Sequence, residues 1–236
     1  MIAIQFLTRL PTPRVTVTGE AFAQSMRWFP AVGLIVGVLV AAAAWAGAQV
    51  DPWVASLLAL LTWVGVTGGL HLDGLGDIAD ATGAAHKDRD RLLAVLADPH
   101  LGSFGAIAIA LQLAAKLVLG HAMVEAGHYE ALALVPFAAR IGPLLWTRIL
   151  PSLHDGLGAR FRGAVRPVDL AIWGALLLLA AIAVSPAMLV APVLMLLWAA
   201  WLRSRIGGIS GDGHGGGIEV VETALMLAVL CAAAPR

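Results

Sequence analysis

The chain has 236 residues, of which 60% are hydrophobic and 13% charged, against roughly 25% charged in an average soluble domain. That excludes an ordinary soluble enzyme. Lys plus Arg and Asp plus Glu number 15 each, so there is no basic field to attract nucleic acid. The single cysteine, Cys231, excludes a disulfide framework and a cysteine zinc site. No cleaved signal is expected, because the N-terminal segment lacks the basic, apolar and small-residue succession of one.

Seven apolar stretches follow, at about residues 31–50, 52–70, 104–124, 130–150, 168–184, 186–202 and 218–234, each near the length that crosses a hydrocarbon core of about 30 Å. The expected fold is all-α: one polytopic transmembrane helix bundle over residues 1–236 with about seven spans. Asp51-Pro52, the stretch from Glu125 to Glu130, and Ser185-Pro186 read as tight turns between antiparallel helices. The longer connections are 71–103, 151–167 and 203–217.

Basic residues orient this bundle. Arg9, Arg14 and Arg27 precede the first span; Lys87, Arg89 and Arg91 lie in 71–103; Arg160, Arg162 and Arg166 in 151–167; Arg203 and Arg205 follow the sixth span. The short connections carry none, so the positive-inside rule puts the N-terminus and all three long connections in the cytoplasm. Trp28, Trp53, Trp146 and Trp201 fall near span ends, where interfacial anchoring and plain apolar bulk are both open readings.

Chemistry concentrates where these connections leave the membrane. In the run from Gly68 to Asp80, the carboxylates Asp73, Asp77 and Asp80 are spaced four and three apart, within roughly 60° of one another on a helix. Like charges on one stripe repel. Either the face is simply solvated or it holds a cation, and its position directly after an apolar span favours Mg²⁺ or Mn²⁺ on hard oxygen ligands. The segment from Asp98 to Gly105 offers Asp98 as a helix cap or a functional group, with Ser103 beside it. From Gly207 to Gly217 the chain is glycine-rich, and Gly211 and its neighbours read as a loop lining a phosphate at the start of the last span, with Asp212 as a further metal ligand. Lys116 and Arg140 lie inside spans, so they face the interior and either serve substrate or pair with Glu219 and Glu222. Gly33 and Gly37 form a helix-packing pair.

These residues resemble the cobalamin synthases, also called adenosylcobinamide-GDP ribazoletransferases. The resemblance covers most of the chain: Phe6-Leu7-Thr8-Arg9-Leu10-Pro11, then Gly69-Leu70-His71-Leu72-Asp73-Gly74-Leu75 with Asp77 and Asp80, Asp98 with Leu101-Gly102-Ser103, Gly211-Asp212, and Glu219 to Glu222. His100 and Gly213 stand where that family usually has Arg and Thr.

The resemblance implies a Mg²⁺-dependent, multi-pass enzyme of the cell inner membrane whose active site faces the cytoplasm. Its partners would be the bilayer and two small molecules, adenosylcobinamide-GDP and α-ribazole or its 5′-phosphate, joined with release of GMP in the last assembly step of coenzyme B12 synthesis. Whether several copies assemble is left open. On this reading Asp73, Asp77, Asp80 and Asp212 hold the metal. His71 is the expected proton acceptor, with an aspartate such as Asp73 as the alternative. Asp98, Ser103, Lys116, Arg140, Gly211, Glu219 and Glu222 are the expected substrate-binding residues. Two other functions share an aspartate stripe in a membrane helix, a CDP-alcohol phosphotransferase and a cation-coupled transporter. The first expects an Arg that is missing between Asp73 and Asp80, and the second expects sites nearer the midplane.

Overall fold

The computed structural model describes residues 1–13, 16–84, 88–153 and 157–233; Arg14 and Lys87 lie outside them. In chain order the helices are α1 (Ile2–Leu7), α2 (Gly19–Ser25), α3 (Phe29–Gly47), α4 (Pro52–Thr67), α5 (Leu70–Ala84), α6 (Arg89–Leu96), α7 (Ser103–Glu125), α8 (Tyr129–Ala139), α9 (Gly142–Ile149), α10 (Leu157–Ala164), α11 (Pro167–Ala183), α12 (Ala191–Arg205) and α13 (Gly211–Ala233). Among the described residues the only β pairing is an isolated bridge between Ser152 and Ile209.

An apolar helix underlies each of the seven expected spans, but they differ in length. Gly19–Gly47, Ser103–Glu125, Tyr129–Ile149, Pro186–Arg205 and Gly211–Ala233 are long and apolar enough to cross a membrane, while Pro167–Ala183 is shorter. Large apolar side chains such as Val38, Leu61, Leu111, Ile182 and Leu197 point outward, which is stable only where hydrocarbon replaces water. Trp28, Trp45 and Trp53 are exposed. Trp146, expected near a span end, is instead fully buried and donates its indole N–H to the Met195 carbonyl.

Two breaks position the site. Gly68 and Gly69 both adopt positive φ, 64° and 73°, a conformation costly for residues with a Cβ. Through them α5 turns 85° from α4 and runs across the end of the bundle instead of along it. The second break separates α8 from α9 at Arg140 and Ile141. Pro143, in the first turn of α9, has no N–H for the carbonyl four residues back, which the helix would need in order to continue.

Close packing around these breaks depends on glycine. A Cβ on Gly33 would meet the Pro136 carbonyl carbon at 2.8 Å and Arg140 Cδ at 2.9 Å, and one on Gly37 would meet the Ala133 backbone. The expected helix-packing pair therefore seats α3 directly on α8.

The N-terminal segment and the three long connections meet at one end. Arg9 N–H donates to the Val66 carbonyl at 2.7 Å, Leu153 N–H donates to the Ile209 carbonyl and Ile209 N–H to the Pro151 carbonyl across the bridge, and the rings of Phe22 and Phe161 lie 5.5 Å apart.

Candidate active site

The acidic stripe is helical as expected, but its three carboxylates have different surroundings. Asp73 is exposed and Asp77 half-buried. Asp80 is 7% exposed and spends both oxygens on the start of α7, accepting from Gly102 N–H at 2.8 Å and Gly105 N–H at 2.9 Å. It works as a helix cap supplied from a distance, satisfying amides that Gly102, with no side chain, leaves open.

The group that joins Asp73 and Asp77 is Asp212 of α13. Residues 211–217 form the first two turns of that helix rather than the expected phosphate-lining loop. Their glycines serve helix contact: a Cβ on Gly74 would lie 2.9 Å from Asp212 Cα, and Gly215 and Gly216 face His71 and Leu75 across the same crossing. Burial, then the negative charges of Asp212, Asp73 and Asp80, push the Asp77 carboxyl up to about 6. Crowded carboxylates of this kind are an all-oxygen donor set suited to a hard divalent cation. Among the described residues no group of three or more His, Cys, Asp or Glu side chains is placed to hold a metal ion.

Lys116, Arg140, Glu219 and Glu222 come together deep in the bundle, all at most 4% exposed. Lys116 Nζ lies 2.7 Å from Glu219 and 2.6 Å from Glu222, above the Trp63 ring at 4.2 Å. Arg140 Nη1 reaches Glu222 at 2.8 Å and the Pro136 carbonyl at 3.0 Å. Gln112 donates to the Glu219 carbonyl and carboxylate and to Thr223. Two cations face two anions, which is how buried charge is made tolerable.

This network touches the site through His71, which is 3% exposed. Arg140 Nη2 lies 3.3 Å from His71 Nδ1. A guanidinium only donates, so Nδ1 accepts and the ring hydrogen sits on Nε2, which has no partner. In this tautomer His71 offers a donor, whereas the sequence suggests a proton acceptor.

Asp98 and Ser103 are exposed and stand apart from the cavity lining. Asp98 closes a local turn by accepting from His100 N–H at 3.0 Å and from its ring at 2.6 Å, a side-chain hydrogen bond that holds its carboxyl below the ordinary range.

A cavity of about 760 Å³ opens beside the stripe, with Asp73, His71, Gly211 and Asp212 on its lining. Phe6, Phe22, Phe29, Phe161, Arg162 and His214 also line it. Sequence reasoning assigned none of these six to a site. Arg162 registered only as a topogenic charge, Phe6 only within the N-terminal stretch that carries the resemblance, and the short helices α2 and α10 carry no motif of their own.

Fold and site together define a polytopic helical membrane protein that gathers carboxylates around a cavity at one end of its bundle. Residues 1–230 match the cobalamin-5-phosphate synthase family, and the chain belongs to that family. A protein of Novosphingobium aromaticivorans named adenosylcobinamide-GDP ribazoletransferase is 63% identical over 233 residues, 97% of this chain and 94% of the relative. Proteins of the same name from Laribacter hongkongensis, 52% identical over 98% of this chain and 96% of the relative, and Thiobacillus denitrificans, 47% identical over 96% and 92%, are similar throughout. No solved structure matches. The family match favours neither the CDP-alcohol phosphotransferase nor the transporter reading.

Proposed function

We propose that this chain joins adenosylcobinamide-GDP to α-ribazole or its 5′-phosphate. A ribose hydroxyl oxygen forms a bond to the cobinamide-side phosphorus, the bond from that phosphorus to the GMP oxygen breaks, and GMP leaves. The hydroxyl proton passes to a carboxylate. The observation that carries this reading is a cavity lined by Asp73 and Asp212, whose negative charges also act on Asp77, in a chain whose relatives are named for that transfer.

Mg²⁺, when bound, supplies the positive charge that neutralises a pyrophosphate and its leaving group. Asp77 and Asp212 are the residues to hold it. Asp73, the exposed carboxylate on the cavity, is the group to accept the hydroxyl proton and doubles as a metal ligand. His71, fixed by Arg140, presents its Nε2 hydrogen to a substrate oxygen. The end of the bundle that carries the site is assigned to the cytoplasm by its arginines, in a seven-span arrangement of the inner membrane.

The test is GMP release by purified protein in detergent, given both substrates and Mg²⁺. We expect wild-type turnover, and loss of at least about 10²-fold in Asp77→Asn at unchanged amounts of folded protein. A wild-type preparation that binds both substrates and releases no GMP would overturn the proposal.

A further inference from the structure

A second cavity, of about 590 Å³, lies at the same end of the bundle. Its walls are α2 with the 3₁₀ turn Met26–Trp28 that follows it, and the last residues of α10 with the cap of α11. Glu20, Gln24, Arg27 and Arg166 give it a polar lining, and its size suits a small molecule rather than a lone ion. None of these residues takes part in the proposed transfer.

The charges around it balance in number but not in place. Arg166 is held by Asp169, with Nε at 3.2 Å and Nη2 at 2.8 Å from its two oxygens. Arg27 donates Nε to the Gln24 carbonyl at 3.0 Å, which orients the guanidinium and leaves its Nη donors over. Glu20 accepts from the Gln24 side-chain amide at 3.2 Å. Among the described residues neither Arg27 nor Glu20 forms an ion pair. The two share one helix face with Gln24, at steps of four and three residues, and stand about 10 Å apart along the axis. A ligand that satisfies both carries an anionic and a cationic group on one short scaffold.

The surroundings define the rest of that ligand. Trp28, next in sequence to Arg27, is 58% exposed and meets Trp173 edge to face at 6.4 Å. Trp173 donates its indole N–H to the Arg27 carbonyl at 2.8 Å. Indoles beside arginines at the end of an apolar helix are the composition of a membrane interface. From the rim of the cavity α11 runs on with Val168, Ile172 and Leu179 exposed, a face that acyl chains cover in a bilayer.

We propose that this cavity holds the headgroup of a zwitterionic glycerophospholipid with a primary ammonium, phosphatidylethanolamine. Arg27 donates to the phosphodiester, with the remaining Nη1 of Arg166 on the same cavity, Glu20 accepts from the ammonium, and the acyl chains lie along α11. Free phosphate would satisfy Arg27 alone. Phosphatidylglycerol brings no cation to Glu20, and phosphatidylcholine brings one without N–H donors.

The experiment titrates these three lipids, with identical acyl chains, into the full chain in detergent and reads apparent affinity from the rise in unfolding temperature. The wild type should bind phosphatidylethanolamine at least about tenfold more tightly than either of the others. Glu20→Gln should abolish that preference, and Arg27→Gln should weaken all three lipids about tenfold. O-Phosphoethanolamine, the headgroup without chains, should leave the unfolding temperature unmoved at the same concentrations. Equal affinities for the three lipids in the wild type, or a preference that survives Glu20→Gln, would overturn the proposal. So would unchanged affinities in Arg27→Gln. Glu20 is exposed and bonded only to its neighbour one turn on, so Glu20→Gln decides the question even if Arg27→Gln fails to fold. Binding of O-phosphoethanolamine as tight as that of the lipid would make the cavity a site for a soluble phosphate ester and remove the membrane lipid from it.

Discussion

Asp77 and Asp80 sit three residues apart on one helix and face opposite demands. Asp77 is crowded by like charge, and its carboxyl is pushed up to about 6 by burial and by Asp212, Asp73 and Asp80. Because this folded value exceeds the ordinary one, the folded chain holds a proton that the unfolded chain releases, and stability falls as pH rises from about 4 through 6. A bound cation reverses the sign by competing with that proton. Mg²⁺ should thus raise the unfolding temperature at about pH 7.5 and do so much less at about pH 5, where Asp77 is protonated. Equal shifts at both pH values, or the same pair of shifts in Asp77→Asn, would remove Asp77 from the metal. Asp80 answers to the backbone, with both oxygens on the amides of Gly102 and Gly105. Asp80→Asn keeps one acceptor and turns an NH₂ toward the other amide, so it should cost about 1–2 kcal/mol of stability with no change in the Mg²⁺ concentration needed. A raised Mg²⁺ requirement at normal stability would return Asp80 to the metal.

At the scale of elements, the site exists because α5 and α13 touch. Gly74 leaves room for Asp212 Cα, where a Cβ would stand at 2.9 Å, closer than real side chains approach. Gly74→Ala should push the two helices apart by up to about 1 Å and reduce turnover by up to about 10²-fold, the cost of a misplacement of about 1 Å at a reacting centre. Circular dichroism should show the helices retained, and full activity would detach the carboxylates' function from their spacing. This contact marks the limit of what periodicity conveys. The apolar helices were legible because lipid-facing and buried residues alike must be apolar over a membrane's thickness, although among the described residues only five are long enough to cross it, or six if the bent α4–α5 pair is one span. The stripe was legible because three carboxylates at helical spacing are costly. The glycine run before Glu219 looked like a loop because glycine is a poor helix former in isolation; its use in crossing α5, and beneath Trp146 and Trp198 at Gly217, depends on a partner helix remote in sequence. The partner that Asp80 caps and the aromatic wall built from four helices are tertiary for the same reason.

Across the whole molecule, the buried charges tie the site to the bundle. Lys116 on α7, Glu219 and Glu222 on α13, Arg140 at the break after α8 and His71 at the start of α5 form one chain of contacts, and the two cations balance the two anions. Removing one member leaves an uncompensated buried charge, which costs about 3–5 kcal/mol, whereas removing a matched pair need not. Lys116→Met should therefore destabilise the bundle by about that amount. Glu219 is the anion to remove with it, because among the described residues Lys116 is its sole cation while Glu222 keeps Arg140 at 2.8 Å. The double variant Lys116→Met, Glu219→Gln should recover most of the loss and retain turnover, since Glu222, Arg140 and His71 keep their contacts. Unfolding in detergent, measured for the wild type, both single variants and the double, gives the coupling energy directly. Additive losses would mean that Lys116 and Glu219 act separately. Recovered stability without recovered turnover would mean that Lys116 or Glu219 serves the substrate itself, one of the two readings that the sequence leaves open.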